Sequence, residues 1–289
     1  MQRLNIIDLG SSSVRYMRVE NGKVIGKRGV ITRLAENKVD GYLSKGNMLV
    51  TTKVVKDFVE DAKEFGGAIY IFATASLRNS KNGQEYADFL RDVVGVEVDI
   101  VDGEQEAEIG LLGALGGKDG GVIDIGGGST EIIVAQNKRI VYEKSMPLGG
   151  VVLKSLSDTN LENAKQIVKE RVEYFGKIPN AKFVGIGGTV TSLVALVLKL
   201  KEYNAKKVHG YKLTLKKLLR AEKYLLDKSA QQIANETCVN IKRAEILPFG
   251  VVILKEIFSI LNLKSIIVSE SDNLEGYMLK IGGQNYEKA

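Results

Sequence analysis

Residues 121–135 read Gly-Val-Ile-Asp-Ile-Gly-Gly-Gly-Ser-Thr-Glu-Ile-Ile-Val-Ala, two apolar runs around a turn of three glycines and two hydroxyl side chains. This pattern predicts a strand, a tight turn and a second strand. Glycines at a strand end let backbone N–H groups approach a ligand, and successive N–H groups in such a turn suit phosphate. Asp124 and Glu131 flank the turn, so the site would hold an anion and carboxylates together. A metal ion between them, or a water that needs a base, would explain this combination.

The same pattern occurs near the start of the chain, where residues 6–13 read Ile-Ile-Asp-Leu-Gly-Ser-Ser-Ser. The Asp, the first Gly and the last Ser coincide in the two segments, which aligns Asp8 with Asp124. A single glycine-rich turn is also compatible with a hairpin that binds nothing. Its repetition favours a duplicated domain, and two phosphate-binding turns facing each other across a cleft are expected from that duplication.

Composition limits the protein class. The 289 residues are 44% hydrophobic and 26% charged, ordinary values for a globular protein with room for two domains. No signal peptide or membrane-spanning run is recognisable, and the single cysteine, Cys238, cannot form an internal disulfide, so we expect a cytoplasmic protein with no membrane partner. The net charge of +6 allows attraction to polyanions. With 7% aromatic residues, no tryptophan and no nucleic-acid-binding motif, we expect no nucleic-acid partner.

Strands alternate with helices along both halves of the chain, which predicts an α/β protein. The first long helix is predicted to begin at Thr51 or Thr52. The glycine-rich segment 116–121 is the predicted domain boundary.

Two helix starts carry candidate site residues. Residues 102–109 contain three glutamates at positions 104, 106 and 108, but acids are generally favourable at a helix start, so this pattern does not choose among them. At Gly187-Gly188-Thr189, a glycine turn opens a helix. Either its N–H groups bind an anion or Thr189 simply caps the helix, and both interpretations remain open.

The paired turns resemble the two phosphate loops of the superfamily of actin, heat-shock ATPases and sugar kinases. Within it, Asp-Ile-Gly-Gly-Gly-Ser-Thr-Glu at 124–131 is similar to the exopolyphosphatase and guanosine pentaphosphate phosphatase family, Ppx/GppA. The resemblance covers nearly the whole chain and is to the short form of that family. It implies two duplicated actin-like (ribonuclease H-like) α/β domains with a cleft between them. We expect these domains at 1–117 and 118–276, with a last helix at about 277–289 packing back on the first.

The resemblance also selects site residues. Gly-x-x-Glu-Ala at 103–107 implies Glu106 as the catalytic residue that positions water. Asp124 is the second predicted catalytic residue. Because hard oxygen ligands suit Mg²⁺, we predict Asp124, Asp8 and Glu131 as its ligands. Thr-x-x-Leu-Arg at 74–78 implies Arg78 as a phosphate ligand. The predicted phosphate-binding residues are Gly10, Ser11, Ser12, Ser13, Arg15, Arg78, Gly126, Gly127, Gly128, Ser129, Thr130, Gly187, Gly188 and Thr189.

The chain departs from the family pattern at two positions. Arg33-Leu34 resembles the Arg-Leu-Gly element of the family, but Ala35 stands where glycine is usual. Leu274 replaces the arginine of the Leu-Arg-Glu-Gly element, which puts a role of that arginine in doubt.

The function implied is magnesium-dependent hydrolysis of the terminal phosphate of inorganic polyphosphate, releasing orthophosphate. Removal of the terminal phosphate of pppGpp, giving ppGpp, is the first alternative, and the residue patterns do not separate the two substrates. The basic stretch 206–223 favours the longer polyanion if it borders the cleft. An ATP-dependent kinase and a non-catalytic nucleotide or polyphosphate sensor are further alternatives, against which Glu106 and Asp124 argue. Because symmetric dimers are common, we expect a homodimer.

Overall fold

The computed structural model describes residues 2–283 and 287–288. Their contacts divide the chain into two compact units, which comprise residues 1–106 and 107–289. Among the described residues, no helix combines the length and apolar character needed to cross a membrane. Each unit contains one sheet and its own buried core.

The first unit alternates strands and helices as predicted. Its elements are β1 (Arg3–Leu9), β2 (Ser13–Glu20), β3 (Lys23–Ile31), α1 (Lys45–Phe65), β4 (Ala68–Ala73), α2 (Ala75–Arg78), α3 (Gly83–Val94) and β5 (Val98–Ile100). Helix α4 (Gly103–Leu115) begins in this unit and continues into the second. The strand order is β3-β2-β1-β4-β5, with β1 antiparallel to β2 and parallel to β4.

Helix α1 begins earlier than the sequence predicted. Ser44 caps it by accepting the Asn47 N–H at 3.3 Å, so the helix starts at Lys45. Thr51 and Thr52 lie inside the helix, where the Thr52 hydroxyl donates to the carbonyl of Met48 at 2.8 Å. Ser44 is as good a cap as threonine, and the serine that comes first in the chain begins the helix.

The second unit is larger and contains more helices. Its elements after α4 are β6 (Gly120–Ile125), β7 (Thr130–Gln136), β8 (Arg139–Met146), α5 (Gly150–Leu156), α6 (Leu161–Arg171), a 3₁₀ turn (Val172–Phe175), β9 (Phe183–Ile186), α7 (Gly187–Val197), α8 (Ala205–Val208), β10 (Lys212–Thr214), α9 (Leu215–Leu226), α10 (Ala230–Glu236), α11 (Ile241–Ala244), α12 (Leu247–Ile260), β11 (Ser265–Val268), α13 (Asn273–Ile281) and β12 (Glu287–Lys288). Its strand order among the described residues is β10-β11-β9-β6-β7-β8-β12.

The two sheets share one topology, as the repeated sequence motif predicts. In each, an antiparallel three-stranded meander (β1-β2-β3 or β6-β7-β8) is extended by parallel strands beside its first strand (β4 and β5, or β9 and β11). The registers match as well. Asp8 lies opposite Arg15, and Asp124 lies opposite Glu131 at the corresponding position. The chain is therefore a mixed α/β protein whose two sheets are built on the same plan.

The boundary of the units falls earlier than the predicted boundary at residue 117. Ala107, Leu111 and Leu112 of α4 are buried with residues of β6 and β7, so most of α4 belongs to the second unit. Helix α13, which ends at Ile281, packs on this same α4. The sequence placed α4 in its first domain and the last helix against that domain. The two helices are in contact, and the part of α4 from Ala107 onward lies with α13 in the second unit. Residues 284–286 and 289 of the predicted last helix lie outside the described residues.

The crossing of α13 and α4 requires glycine. A Cβ atom on Gly276 would lie 1.7 Å from the carbonyl oxygen of Ile109, and one on Gly113 would lie 1.9 Å from that of Asp272. The two backbones are thus in direct contact, a distance that any side chain would prevent. An ion pair between Lys280 and Glu108 at 2.8 Å adds to the contact.

Candidate active site

Both glycine turns are closed by the same hydrogen bond. The N–H of Gly10 donates to the carbonyl of Ser13, and the N–H of Gly126 donates to that of Ser129, each at 3.0 Å. The turns connect β1 with β2 and β6 with β7. The local geometry that the repeated sequence predicts is therefore present in each unit.

In the first unit, residues 32–35 hold the first turn from one side. The carbonyl of Ser11 accepts one N–H from this segment and the carbonyl of Ser12 accepts two, all at 3.0 Å. Because the C=O and N–H of a trans peptide point in opposite directions, the N–H groups of Ser12 and Ser13 point away from the segment. The turn thus presents N–H groups on its other side, as an anion-binding turn requires. The Arg33-Leu34 element supports the turn through its backbone.

In the second unit, the start of α5 does the same for the second turn. The carbonyl of Gly126 accepts the Gly150 N–H at 3.0 Å, and that of Gly127 accepts the Val151 N–H at 2.9 Å. The N–H groups of Gly127 and Gly128 consequently point away from α5. In both units, therefore, the N–H groups of the turn point away from the segment that holds it. That segment is a helix start in the second unit and an irregular segment in the first.

Asp8 is paired with Arg15 in the first unit. The two residues are cross-strand neighbours, the Arg15 Nε atom donates to Asp8 Oδ2 at 2.9 Å, and a second guanidinium nitrogen contacts the same oxygen. Asp8 is 1% exposed. A buried carboxylate needs such a partner, so the Arg15 charge stabilises Asp8.

Glu106 lies in the first turn of α4. The start of that helix is defined by reciprocal bonds, in which Asp102 Oδ1 accepts the Gln105 N–H at 2.8 Å and Gln105 Oε1 accepts the Asp102 N–H at 3.0 Å. Glu106 is 7% exposed, and Arg78 Nη1 donates to its Oε2 at 2.7 Å. The same nitrogen also donates to the carbonyl of Val101 at 3.0 Å, which orients the guanidinium.

The surroundings of the Glu106 carboxyl change its acidity. Burial raises its pKa above the ordinary value of 4.5, and the charge of nearby Asp8 raises it as well. The Arg78 guanidinium opposes both effects, by its charge and by its hydrogen bond, and the Thr74 hydroxyl donates a further hydrogen bond. A buried carboxyl of raised pKa beside a cation is the arrangement expected of a general base.

The other two glutamates of this segment lack that environment. Glu104 is exposed, and Glu108 forms the ion pair with Lys280. Of the three glutamates at 104, 106 and 108, Glu106 is the buried one, at 7% exposure.

Asp124, Glu131 and Ser145 form a row across β6, β7 and β8. Asp124 is the register partner of Glu131, and Glu131 is that of Ser145, so the three side chains share one face of the sheet. The Ser145 hydroxyl donates to Glu131 Oε1 at 2.6 Å. At the position where the first unit has Arg15, the second unit thus has a second carboxylate.

Gly187 lies directly against Asp124. It has a φ of +84°, and a Cβ atom on it would lie 2.3 Å from Asp124 Oδ1. Both the backbone conformation and the space therefore exclude a side chain here. Gly188, the next residue, lies against the Arg243 guanidinium, because a Cβ on it would be 2.8 Å from Nη2.

Two of the predicted phosphate-binding residues, Thr130 and Thr189, have buried side chains. The Thr130 hydroxyl donates to the carbonyl of Leu148 at 2.7 Å and is fully buried. Thr189 is buried against α12, where a Cβ on Gly250 would lie 2.7 Å from its Oγ1 atom. Ile186 is the N-cap of α7 and no side chain caps that helix, so the proposed cap by Thr189 is wrong.

The comparison with protein families agrees with this geometry. A family profile described as the Ppx/GppA phosphatase family matches residues 16–283. The chain belongs to the Ppx/GppA phosphatase family. Its members are hydrolases, and the mixed α/β fold with two related sheets is the fold of that family.

Individual Ppx/GppA relatives match at modest identity. The chain is 28% identical to the bifunctional 3-dehydroquinate synthase/phosphatase of Fusobacterium nucleatum over 95% of this chain, but spans only 46% of that protein. It is 26% identical to exopolyphosphatase 2 of Mycobacterium tuberculosis, over 98% of this chain and 99% of that protein. A crystallographically studied Ppx/GppA enzyme of Aquifex aeolicus superposes with a TM-score of 0.78 at 28% identity, covering 96% of this chain and 99% of that chain.

The structure adds residues that the sequence did not single out. Thr74 donates to Glu106, Ser145 to Glu131, and Arg243 lies against Gly188. Thr74 had a signal, since it begins the Ppx/GppA element Thr-x-x-Leu-Arg. Ser145 and Arg243 had none, because they come from distant parts of the chain. Leu274, which replaces a Ppx/GppA arginine, is 2% exposed and contributes to the core.

The second unit fits a magnesium ion through two carboxylates. Among the described residues, no three acidic, histidine or cysteine side chains form a metal cluster. Asp124 and Glu131 are nevertheless register neighbours across β6 and β7, so their two carboxylates lie side by side on one face of the sheet. Mg²⁺ is typically bound by one or two carboxylates, with waters and substrate phosphates completing its shell. The donor set therefore suits that ion.

Proposed function

We propose that this chain is an exopolyphosphatase that hydrolyses the terminal phosphoanhydride bond of inorganic polyphosphate and releases orthophosphate. The observation that carries the proposal is the buried Glu106 carboxyl, held by Arg78 and Thr74 near Asp8. The relative that matches over nearly its whole length, exopolyphosphatase 2 of Mycobacterium tuberculosis, supports polyphosphate as the substrate.

Glu106 acts as the base. In its ionised form it accepts a proton from water, and the oxygen of that water forms a bond to the terminal phosphorus. The bridging P–O bond breaks, and the shortened polyphosphate leaves with the electron pair of that bond. Arg78 keeps Glu106 in one orientation and stabilises its ionised form, while the Thr74 hydroxyl occupies part of its remaining acceptor capacity. Fixed orientation matters because a base must lie within hydrogen-bond reach of the proton it accepts.

The glycine turns bind phosphate oxygens through their backbone. The N–H groups of Ser12 and Ser13 and those of Gly127 and Gly128 face away from the elements that hold each turn. Arg243 beside Gly188 is a further candidate for a phosphate contact. Asp124 and Glu131 would hold Mg²⁺, with Asp8 stabilised by Arg15 in the other unit. When bound, the ion neutralises the negative charge that collects on the phosphate oxygens.

The base is tested with a matched pair of variants. Glu106→Gln is expected to lower kcat for orthophosphate release from polyphosphate by about 10²- to 10⁴-fold. Glu104→Gln changes an exposed glutamate two residues earlier in the same helix turn and is expected to leave kcat within about twofold. Equal rates in the two variants would remove Glu106 from the mechanism.

The substrate is tested by measuring orthophosphate release from long polyphosphate and from pppGpp side by side, with magnesium and with chelator. Polyphosphate is expected to have the higher kcat/KM, and chelator is expected to abolish release from both. A higher kcat/KM for pppGpp would identify the chain as a pppGpp 5′-phosphohydrolase instead. Binding of either compound with no release by a folded protein would favour a sensor.

A further inference from the structure

A cavity of about 550 Å³ lies in the second unit, at the C-terminal end of α7 and beside α9 and α10. It is lined by residues of four segments of the chain, 196–199, 211, 217–224 and 236–237. The glycine turn at Gly187 lies at the other end of α7, about 15 Å away along the helix axis. Within the second unit, the cavity is thus separate from Gly187 and from Asp124, which lies against Gly187.

The wall of the cavity combines apolar surface with positive charge. Leu196 and Ala221 are buried core residues, and they give the cavity an apolar floor. Lys199 and Arg220 are exposed cations at its edge. The Lys217 ammonium group donates to the Tyr211 hydroxyl at 2.7 Å. It also lies 4.4 Å from the centre of the Tyr211 ring. An apolar floor with a cationic rim fits a ligand that is both aromatic and anionic.

The acidic group of the cavity is already compensated. Among the described residues that line it, Glu236 is the one acid. Its carboxylate accepts the Lys228 ammonium at 2.7 Å and the Tyr224 hydroxyl at 2.6 Å, and these contacts lower the pKa of Glu236. The acid of α9, Glu222, is paired with Lys255 at 2.9 Å and does not line the cavity. The cations of the rim are therefore left to attract an anion.

Lys199 has an unusual backbone conformation. It follows the C-cap of α7 with a φ of +52°, its N–H donates to the carbonyl of Leu196 at 2.9 Å, and the next N–H donates to that of Ala195 at 3.0 Å. These are the two bonds of a Schellman motif, in which this position is usually glycine. A residue other than glycine is modestly strained here. Lys199 stands at this position, just past the end of α7, and it lines the cavity.

We propose that this cavity is a nucleotide-binding site, distinct from the site of hydrolysis. The base would lie on the apolar floor and the tyrosine side chains, and the phosphates would contact Lys199, Lys217 and Arg220. A bare polyphosphate chain has no apolar surface and would leave that floor unused. The proposal does not depend on which substrate the chain hydrolyses.

The test uses ADP as the probe, by isothermal titration calorimetry with the full chain in the presence of chelator. The variant Lys199→Glu/Arg220→Glu reverses two rim charges. The control Lys216→Glu/Lys223→Glu reverses two charges on exposed residues of the same helix, α9, that do not line the cavity. All four positions are exposed, so both proteins are expected to fold, which circular dichroism checks.

The expected result is a Kd for ADP at least about tenfold higher in the rim variant and within about twofold of the original in the control. Equal weakening in both variants would mean a general effect of charge and would overturn the proposal. An absence of ADP binding to the unaltered chain would also overturn the proposal. So would a Kd for inorganic tripolyphosphate equal to that for ADP, because the apolar floor would then contribute nothing to binding.

A second measurement locates the ligand. Acetylation of lysines followed by mass spectrometry is expected to show Lys199 and Lys217 protected by ADP, with Lys216 and Lys223 modified at unchanged rates. Protection of neither rim lysine at saturating ADP would place the nucleotide elsewhere.

Discussion

Replacing Arg78 by methionine tests how the first unit controls the acidity of Glu106. The guanidinium nitrogen lies 2.7 Å from Glu106 Oε2, and Arg78 is the main influence that opposes the rise of the carboxyl pKa caused by burial. A cation at this distance typically lowers a carboxyl pKa by about 1–3 units. At about 1.36 kcal/mol per unit, the loss of Arg78 disfavours ionised Glu106 by about 1.4–4 kcal/mol.

The assay is the pH dependence of kcat for orthophosphate release at saturating polyphosphate, between about pH 5 and about pH 9. The acidic limb of this profile reports the ionisation of the base in the enzyme–substrate complex. It is expected above 4.5 in the unaltered chain, because burial raises the pKa of Glu106. In Arg78→Met the limb is expected to move upward by about 1–3 units. Arg78→Lys keeps the positive charge, and its limb is expected to remain closer to the original.

A limb that stays in place or moves downward in Arg78→Met would refute this reasoning. Arg78 is also a predicted phosphate ligand, and loss of that contact raises KM without moving the limb of kcat. The two roles are therefore separated within one data set.

The pH dependence of stability gives an independent check. A carboxyl whose folded pKa is raised makes the folded state bind more protons, so Arg78→Met is expected to gain stability as the pH falls from above that pKa toward 4.5.

Three further predictions concern other parts of the chain. Gly276→Ala is expected to destabilise the protein by about 3 kcal/mol or more, because its Cβ would lie 1.7 Å from a carbonyl oxygen of α4. Gly46→Ala, where a Cβ meets nothing within 4 Å inside α1, is expected to be neutral or stabilising in the same denaturant titration; equal losses would contradict the close crossing. Glu131→Gln is expected to raise the magnesium concentration for half-maximal activity by about tenfold or more, and an unchanged requirement would remove it as a ligand. Lys199→Gly is expected to raise Tm slightly, because glycine adopts the positive φ of this position without strain, and to raise the Kd for ADP. An unchanged Kd for ADP would contradict the role of Lys199 in the cavity.

Several features of the site were predictable from the sequence. The repeated Asp-x-Gly pattern predicted the two turns and the duplicated sheet, because strand alternation and glycine turns are local properties. The element at 103–107 pointed to Glu106 through its family resemblance. The helix starts were less predictable, since a serine at 44 and threonines at 51 and 52 are all acceptable caps, and the first of them begins α1.

Other features depend on which distant residues meet. The two aligned aspartates look alike in the sequence, yet Asp8 is paired with an arginine across its hairpin and Asp124 lies opposite a glutamate. The direction of the turn N–H groups is set by segment 32–35 in one unit and by α5 in the other. The family element at Arg33-Leu34 does not by itself indicate this role, and no motif in α5 was singled out from the sequence.

By itself, then, the sequence determined the repeated strand–turn–strand units, their glycines and the family to which the chain belongs. These follow from patterns a few residues long, which act through local backbone preferences. Tertiary structure decided which carboxylates meet a cation, as Asp8 meets Arg15, which hydroxyls are hydrogen-bonded, as in Thr130, and where cations gather around a cavity. Those outcomes depend on burial and on the distances between residues far apart in the chain, and electrostatic free energies change steeply with both.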